Sequence, residues 1–324
     1  MIRRLAWRSV WRNRRRTIIT VVSIGFGLAF AVILIALGEG MYEQMIDNAL
    51  RMQAGHINIE HPEYRAAPAV DLFVELPPGL RERIDAMREV ESARSIVSAR
   101  GVARTGRGSV GVLILGVEPA NERATSPVAR HIVKGEYLDP EDGGRVVIGR
   151  DLADQLEVDL GEKLVLSAND AEGNLREELC RVRGIFRTGV DEVDGYILQV
   201  DIDFARRLLS LPEGSATEVA VLLENPEDQA KVLGRIRSLL EGARSSAVAL
   251  PWEKVLADLA AYIKVDRASN WIFQGLLIVI VLFTIFNTIL MSVLERGQEF
   301  AVILALGTPP RMVERQVMTE TVFL

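Results

Sequence analysis

The chain has 324 residues, with 38 Lys and Arg, 44 Asp and Glu, and a formal net charge of −6. The charge is uneven: residues 1–16 contain seven Arg and no acid, whereas residues 17–294 contain 28 basic and 40 acidic residues. A long apolar run directly follows the Arg cluster, which favours a membrane over a nucleic acid as its partner. The single cysteine, Cys180, excludes an intramolecular disulfide.

The first apolar run, residues 17–37, carries no charge, and as a helix it would be about 31 Å long, enough to cross a hydrocarbon core. The run is longer than the apolar part of a signal peptide, and no convincing cleavage site follows it. We therefore expect a retained transmembrane helix rather than a cleaved signal. The preceding residues 1–16 place Trp7 and Trp11 on one helix face, which predicts a basic amphipathic segment at the membrane surface.

A second uncharged run, residues 271–294, is also long enough to cross, with some tilt. Because Lys and Arg near membrane ends stay in the cytoplasm, the Arg cluster predicts a cytoplasmic N-terminus. If the protein lies in a bacterial inner membrane, residues 40–270 would then be in the periplasm and residues 295–324 in the cytoplasm.

Both runs contain residues suited to helix packing. Ser23, Gly27 and Ala31 recur every four residues, a spacing that lets helices approach closely in lipid but that also arises by chance. Asn287 in the second run is expected to avoid lipid by facing a partner helix or a polar cavity, with local capping as the alternative.

The fold class predicted is a membrane protein whose two transmembrane helices flank a large extracytoplasmic α+β domain. Alternating patterns predict strands, and helical spacing predicts helices between them. Strands are predicted within 95–117 (two, joined at Gly106–Gly108), 145–149, 161–168, 175–186, 195–201 and 216–225, and helices at 150–158, 202–211 and 226–242. Two crossings, near 119–135 and 212–216, predict one subdomain of about 40–125 plus 217–270 and an inserted one of about 130–215.

Catalytic and metal-binding motifs are absent from the sequence. It has no phosphate-binding Gly-x4-Gly-Lys-Ser/Thr loop and no His-Glu-x-x-His motif. His56, His61 and His131 have no spacing typical of metal ligands, so we expect them in turns or at the surface. Neither an enzyme nor a bound cofactor is predicted.

The segment 295–310, ERGQEFAVILALGTPP, follows the second run directly. Glu295, Arg296 and Glu299 precede the apolar residues 300–306, and Gly307 with Pro309 and Pro310 should end the helix and prevent its resumption. A short amphipathic helix at the cytoplasmic surface either lies in the lipid headgroups or inserts into a groove of a soluble partner.

This segment resembles the coupling segment of FtsX-like (MacB-type) ABC permeases. Their pattern is Glu-Arg-x-x-Glu-Ile-(Gly/Ala)-Val-Leu-Arg-Ala-(Ile/Leu)-Gly, and Leu304 stands here in place of the usual Arg. LAWRSVWRNRRRT, VVIGRDLADQLEVDLGEKLVL and FRTGVDEVDGYILQVDIDFARRLL extend the resemblance over nearly the whole chain. The last of these is most similar to the lipoprotein-releasing branch of the family.

The resemblance implies a permease subunit with a MacB-like periplasmic core of two subdomains. It would couple ATP hydrolysis by a separate cytoplasmic ABC ATPase dimer, which holds ATP and Mg, to motion of its periplasmic domain. The branch implies a second permease subunit, in a homodimer or heterodimer, and a lipoprotein substrate extracted from the inner membrane. The residues that would contact the ATPase are Glu295, Arg296, Glu299, Phe300 and Gly307.

The branch also implies a periplasmic carrier that takes over the lipoprotein. The hairpin turn with Asn169, Glu172, Gly173 and Asn174 would correspond to the carrier-binding hook, with a plain turn as the alternative. Because the family has four membrane helices, residues 311–324 are expected to begin a truncated third helix. Two other functions stay open: a MacB-like efflux or mechanotransmission permease, and a two-span membrane sensor.

Overall fold

The computed structural model describes residues 14–140 and 143–323. Of the predicted basic segment 1–16, residues 1–13 lie outside the described part. The chain divides into two units: the αβ domain, residues 44–260, and the helical unit, formed by the residues on either side of it.

The helices and strands account for most of the described residues. The helices are α1 Arg14–Gln53, α2 Leu80–Asp85, α3 Pro119–Thr125, α4 Pro127–Arg130, α5 Arg150–Leu156, α6 Asp191–Asp194, α7 Ile202–Leu208, α8 Gln229–Gly242, α9 Trp252–Val255, α10 Ala257–Glu295, α11 Gly297–Ala305 and α12 Pro310–Phe323. The strands are β1 Ile57–Glu60, β2 Val90–Arg104, β3 Ser109–Val117, β4 Ile132–Gly135, β5 Arg145–Gly149, β6 Lys163–Asn169, β7 Leu175–Phe186, β8 Ile197–Asp201, β9 Glu218–Leu223 and β10 Val248–Pro251.

Helices α1 and α10 are both longer than the apolar runs that predicted them. Helix α1 has 40 residues and α10 has 39, and each contains a stretch with a mean hydropathy of 2.6 that is apolar enough to cross a membrane. Helix α1 continues past Leu37 to Gln53, and α10 begins before Trp271. Hydropathy marks the part of a helix that suits lipid, whereas the polar residues beyond it retain helix propensity.

Strand β2 links two sheets of the αβ domain. Residues 90–96 of β2 pair with β9 in a sheet of order β10-β1-β9-β2. Residues 97–104 pair with β3, and residues 101–104 also pair with β6. Beyond β3 the second sheet continues through β8, β5, β7 and β4. Residues 97–117, which the predicted boundaries assign to the first subdomain, therefore pair with strands of the inserted one.

Each sheet has its own core. Helices α2 and α8 cover the first sheet, where Ile84, Val232 and Ile236 are fully buried. The α8 residues lie four apart, as one face of a helix requires. Helices α5 and α7 cover the second sheet with Leu152 and Phe204. The helix and strand patterns seen in the sequence thus arise from these two buried faces.

Gly55 joins α1 to β1 where the backbone passes close to β9. A Cβ atom at Gly55 would lie 2.5 Å from the amide nitrogen and 2.7 Å from the carbonyl oxygen of Val221. The Gly55 amide donates to Oδ1 of Asn58 at 3.0 Å. A residue with a side chain would have to displace a strand backbone here, so this position requires glycine.

The neighbouring His56 is buried, and its Nδ1 accepts a hydrogen bond from the amide of Leu223 at 3.1 Å. Burial lowers its pKa, so the ring stays neutral at pH 7. The expectation that the histidines lie in turns or at the surface is wrong for His56, because its ring completes the hydrogen bonding of a strand end. The described residues contain no group of three or more His, Cys, Asp or Glu that could hold a metal ion.

We predict that Gly55→Ala destabilises the αβ domain by about 1–3 kcal/mol, because the added methyl group overpacks against the Val221 backbone. Gly234→Ala is the control: Gly234 lies within α8 with open space around it, so alanine should stabilise by roughly 0.5–1 kcal/mol. Urea unfolding of the full chain in mild detergent, followed by protease resistance of the domain, measures both. Equal stabilities for the two variants would contradict the close approach at Gly55.

Candidate functional site

The segment after α10 is a separate short helix set off by a break at Arg296. Helix α10 ends at Glu295, Arg296 leaves the helical conformation, and α11 begins at Gly297. The Arg296 Nε donates to Oε2 of Glu299 at 3.0 Å, and its guanidinium lies 5.0 Å from the centre of the Phe300 ring. Both contacts fix Arg296 against the first turn of α11. Three predicted coupling residues are thus brought together at the start of this helix.

The end of α11 is closed by Gly307. Gly307 has a φ of +92°, its amide donates to the carbonyl of Leu304 at 3.0 Å, and the Thr308 amide donates to that of Ile303 at 3.3 Å. This left-handed glycine is a common helix terminator. Helix α11 does not resume after Gly307: Pro310 is the first residue of a separate helix, α12, a position that tolerates proline because its missing N–H would have no partner within the helix.

Apolar side chains of α11 and of its cap residue Leu306 are exposed in the helical unit. Val302 is 59 % exposed, Leu304 41 % and Leu306 81 %, whereas Phe300 is buried. Exposed apolar side chains beside an Arg–Glu pair form a surface suited to a groove in a partner protein or to lipid headgroups. Helix α11 therefore combines a short length with exposed apolar side chains, as a coupling helix requires.

The predicted packing residues of α1 and α10 differ in their surroundings. A Cβ atom at Gly27 would lie 3.8 Å from Cγ2 of Val281, so α1 and α10 approach closely there. Ala31 lines a cavity between the two helices, whereas Ser23 and Asn287 are exposed. The four-residue spacing thus brings only Gly27 and Ala31 to the interface with α10.

A polar cluster that the sequence did not reveal joins α1 and α10 within the helical unit. The Tyr42 hydroxyl donates to Asp266 and accepts from Nδ2 of Asn270 at 2.8 Å. Arg267 donates to Glu39 at 2.6 Å, with its guanidinium 5.3 Å from the centre of the Tyr42 ring. The four-residue spacing of Asp266 and Asn270 is the sequence signal that could have revealed it.

Beside this cluster lies a cavity of about 250 Å³ with apolar walls and one polar end. Arg267, Glu39 and Asn270 stand at the polar end. The remaining lining is mainly apolar and includes Leu34, Ile35, Trp271, Phe273 and Leu277, together with Gln274. Such a cavity suits an amphipathic ligand with an apolar chain and a polar head.

We predict that cysteines at Gly27 and Val281 form a disulfide on mild oxidation of membranes, because their side chains would meet. Gly25→Cys with Val281→Cys is the control, since a Cβ atom at Gly25 meets nothing within 4 Å. The native Cys180 does not interfere, because it is buried and burial raises its pKa to about 12. Cross-linking at similar yield in both pairs would contradict the interface.

The predicted carrier-binding hairpin is a closed turn between β6 and β7. Oδ1 of Asp170 accepts from the amides of Glu172 and Asn174 at 3.0 and 2.9 Å, and Gly173 has a φ of +84°. Asn174 Nδ2 donates to Glu172 at 3.2 Å, while Asn169 is the last residue of β6. These contacts are typical of an Asp-centred turn.

Asp170 also binds this turn to the rest of the domain. Its Oδ2 accepts from Nε of Arg176 at 2.9 Å and from the Ser210 hydroxyl at 3.2 Å. The Ala171 amide donates to the carbonyl of Leu209 at 3.1 Å. The Arg176 guanidinium lowers the pKa of Asp170 to about 2. The turn is therefore held by charge-assisted hydrogen bonds as well as by its backbone.

A second cavity, of about 650 Å³, lies in the αβ domain beside this turn. Arg65 and Glu218 line it, and Arg65 donates to Glu60 at 2.5 Å and to Glu218 at 3.1 Å. Glu218 also accepts from Nδ2 of Asn58 at 2.8 Å. Two buried carboxylates therefore share one arginine, and burial raises the pKa of Glu218 despite the opposing effect of Arg65.

We predict that Glu218→Gln gains stability relative to the parent as the pH rises from 5 to 8. A raised carboxyl pKa gives stability that is complete below the unfolded value of about 4.5 and is lost as the pH rises through the folded value. Glutamine does not ionise, so the variant does not lose stability in this way. Urea unfolding of both full chains across this pH range gives the difference.

Asp170→Asn is the matched control for the pH series. Because the folded pKa of Asp170 is depressed to about 2, its carboxylate is charged in both states above pH 5. The stability difference between Asp170→Asn and the parent should then stay flat from pH 5 to 8. A flat difference for Glu218→Gln as well would contradict the raised pKa.

Comparison with known proteins gives the family. The sequence model of the MacB-like periplasmic core domain matches residues 17–239, and that of the FtsX-like permease C-terminal region matches residues 271–324.

Curated relatives align over most of the chain at low identity. The lipoprotein-releasing system transmembrane protein LolC of Neisseria meningitidis is 23 % identical over 95 % of this chain and 72 % of its own length. The lipoprotein-releasing system transmembrane protein LolE of Haemophilus influenzae is 20 % identical over 96 % of this chain and 75 % of its own length. Both relatives are thus longer than the part this chain matches.

Among solved structures, the periplasmic region of MacB from Actinobacillus actinomycetemcomitans aligns with 67 % of this chain and 98 % of its own. The TM-score is 0.46 and the sequence identity 11 %.

The family matches confirm the predicted resemblance and fold class: two long apolar helices flank an α+β domain of the MacB type. The function is accordingly that of a permease rather than a sensor. Permeases of this family are transmembrane subunits without a catalytic domain, and no cofactor is expected in them. The chain belongs to the FtsX-like ABC transporter permease family and carries a MacB-like periplasmic core domain.

Proposed function

We propose that this permease couples ATP hydrolysis by a separate cytoplasmic ATPase to the release of lipoproteins from the inner membrane. The observation that carries the proposal is α11, a short helix with exposed apolar side chains between the break at Arg296 and the terminator Gly307. An ABC permease requires an ATPase partner, and α11 is the segment of the chain that resembles the family's docking helix. ATP and Mg would be bound by that partner.

The proposed contact assigns a role to each coupling residue. Phe300 and its neighbour Arg296 hold the start of α11 in place, so that the helix moves as a unit with the end of α10. Glu295 and Glu299 present negative charge toward the ATPase, and Gly307 sets the length of the docking helix. Leu304 makes an apolar contact where relatives with arginine make a polar one.

The topology we propose follows the charge distribution. Residues 1–16 and 295–310 lie in the cytoplasm, the αβ domain lies in the periplasm, and residues 17–37 and 271–294 lie in the hydrocarbon core. Residues 311–324 begin the next membrane-associated helix. Within the periplasmic domain, the inserted subdomain of about 130–215 shares its sheet with residues 97–117 of the subdomain of about 40–125 and 217–270.

A lipoprotein substrate is supported by two features. The relatives LolC and LolE are named as lipoprotein-releasing transmembrane proteins. The cavity beside Tyr42 has apolar walls for acyl chains and a charged end for a polar head. Many large apolar residues of α1 and α10 are exposed in the helical unit, which leaves surface for lipid and for a second permease subunit, identical or related.

The turn between β6 and β7 is the contact we propose for a periplasmic carrier. Asn169, Glu172, Gly173 and Asn174 would offer the carrier a rigid turn, since Asp170 holds it closed. A rigid turn loses little conformational entropy on binding, which favours a transient protein contact.

We predict that Glu299→Lys removes the ATPase from the permease during purification of the native gene product in mild detergent. The substitution reverses the charge beside Arg296 and breaks the Glu299–Arg296 contact at 3.0 Å. Gln298→Lys is the control, since it places the same lysine side chain at an exposed neighbouring position, with a charge change of +1 against +2 for Glu299→Lys. Mass spectrometry of the eluate, with ATPase activity per permease, gives the readout, and we expect at least a tenfold loss for Glu299→Lys only.

The same eluate separates the remaining functions. Triacylated lipoproteins enriched with the parent support release, whereas an ATPase without any lipoprotein favours the MacB-like efflux or mechanotransmission function. If Glu299→Lys retains as much ATPase as Gln298→Lys does, the assignment of α11 as the docking helix is wrong.

A further inference from the structure

Two arginines bind the last turns of α1 to strand β2 in reciprocal directions. Arg94 of β2 reaches toward α1, and its Nη2 donates to the carbonyls of Leu50 and Ala54 at 2.9 and 2.8 Å. Arg51 of α1 reaches toward β2 and donates from both terminal nitrogens to Glu91 at 2.8 and 3.0 Å. We call these four contacts the arginine clamp.

The Arg94 half of the clamp is fully buried. Its Nη1 donates to Oε1 of Glu122 in α3 at 2.6 Å, and both side chains are at most 2 % exposed. The carbonyls that Arg94 binds belong to the end of α1, where backbone acceptors have no partner inside the helix. A buried guanidinium is stable only with such partners, so the position of Arg94 relative to the end of α1 is tightly fixed.

Strand β2 carries this connection to both subdomains. The clamp residues Glu91 and Arg94 lie in the part of β2 that pairs with β9. The same strand continues to Arg104, where it pairs with β3 and β6 of the second sheet. Hydrogen-bonded strands do not slide past each other without losing several bonds at once, so the strand transmits displacement along its length.

We propose that the arginine clamp makes the end of α1 and strand β2 one mechanical unit, so that a displacement of this helix end reaches both subdomains of the periplasmic domain. The clamped end of α1 and strand β2 belong to the same unit, the αβ domain. Arg94 and Arg51 are positioning residues in this scheme: they touch neither ATPase nor substrate. The transport consequence rests on the proposed function, whereas the mechanical connection does not.

The test replaces the buried pair by apolar residues, with Arg94→Met and Glu122→Leu together in the full chain. Exchanging a buried ion pair for apolar side chains of similar size often leaves stability unchanged, whereas removing one partner leaves an uncompensated buried charge, which is destabilising. Arg235→Met is the control, because Arg235 makes an exposed ion pair with Glu89 that does not involve α1. Thermal unfolding confirms that each variant is folded.

Spin labels at Asn48→Cys in α1 and Lys163→Cys in β6 report the distance between the clamped helix end and the second sheet. Both native residues are exposed, and Cys180 is buried and does not compete for the label. In the permease alone, we expect the distance distribution of the double variant to be at least twofold broader than that of the parent. Arg235→Met should match the parent.

If the double variant and the parent have distance distributions of equal width, the arginine clamp is refuted. If the double variant does not fold, Arg51→Met removes the partly exposed half, and it should still broaden the distribution by a smaller factor. In the complete transporter the double variant should keep ATPase activity within twofold and lose lipoprotein release at least tenfold. Broadening with unchanged release would overturn the transmission role. If the unsubstituted transporter releases no lipoprotein, the proposed function is wrong. The width of the spin-label distance distribution would still test the arginine clamp.

Discussion

The contact between Arg94 and the end of α1 is the constraint on which the αβ domain depends most. A guanidinium that is 1 % exposed needs local partners for its charge, and its two terminal nitrogens donate to Glu122, Leu50 and Ala54, whereas its Nε has no hydrogen-bond partner among the described residues. One side chain of strand β2 therefore joins the end of α1 to the short helix α3. Gly55 is the next residue after Ala54, and its close approach to the Val221 backbone directs the chain into β1.

A second constraint comes from the apolar helices of the helical unit. Their contact runs past Gly27 to a polar cluster around Tyr42, and much of their remaining apolar surface is exposed. In water this surface would drive aggregation, whereas in a bilayer it requires only lipid or other apolar helices.

Periodic patterns made much of the fold predictable. Strands β5, β6, β7 and β8 and helix α8 lie where alternation, helical spacing and turn residues predicted them, because each has one face on a core. The lengths of α1 and α10 were not predictable from hydropathy, since their outer turns are polar. The double pairing of β2 was also hidden, because a sequence pattern shows which face is buried and not which strand covers it.

The residues with the most specific contacts were the hardest to find. Arg94, Glu122 and Glu218 are charged, and charged residues usually lie at the surface, so their burial had no signal in one sequence. His56 was expected in a turn or at the surface because the spacing of the histidines fits no metal site, and its burial had no signal in the sequence either. The coupling segment could be located because its charged start, apolar residues and terminator follow one another within 13 residues, from 295 to 307.

The central claim is that ATP hydrolysis on a partner drives this chain to release lipoproteins. The most direct measurement is release of a fluorescent triacylated lipoprotein from proteoliposomes that contain the native permease, its partner permease and the ATPase, with a soluble acceptor outside. The account predicts release that requires ATP and stops when the ATPase can bind but not hydrolyse it. Sustained ATP hydrolysis with no release of lipoprotein would contradict the account.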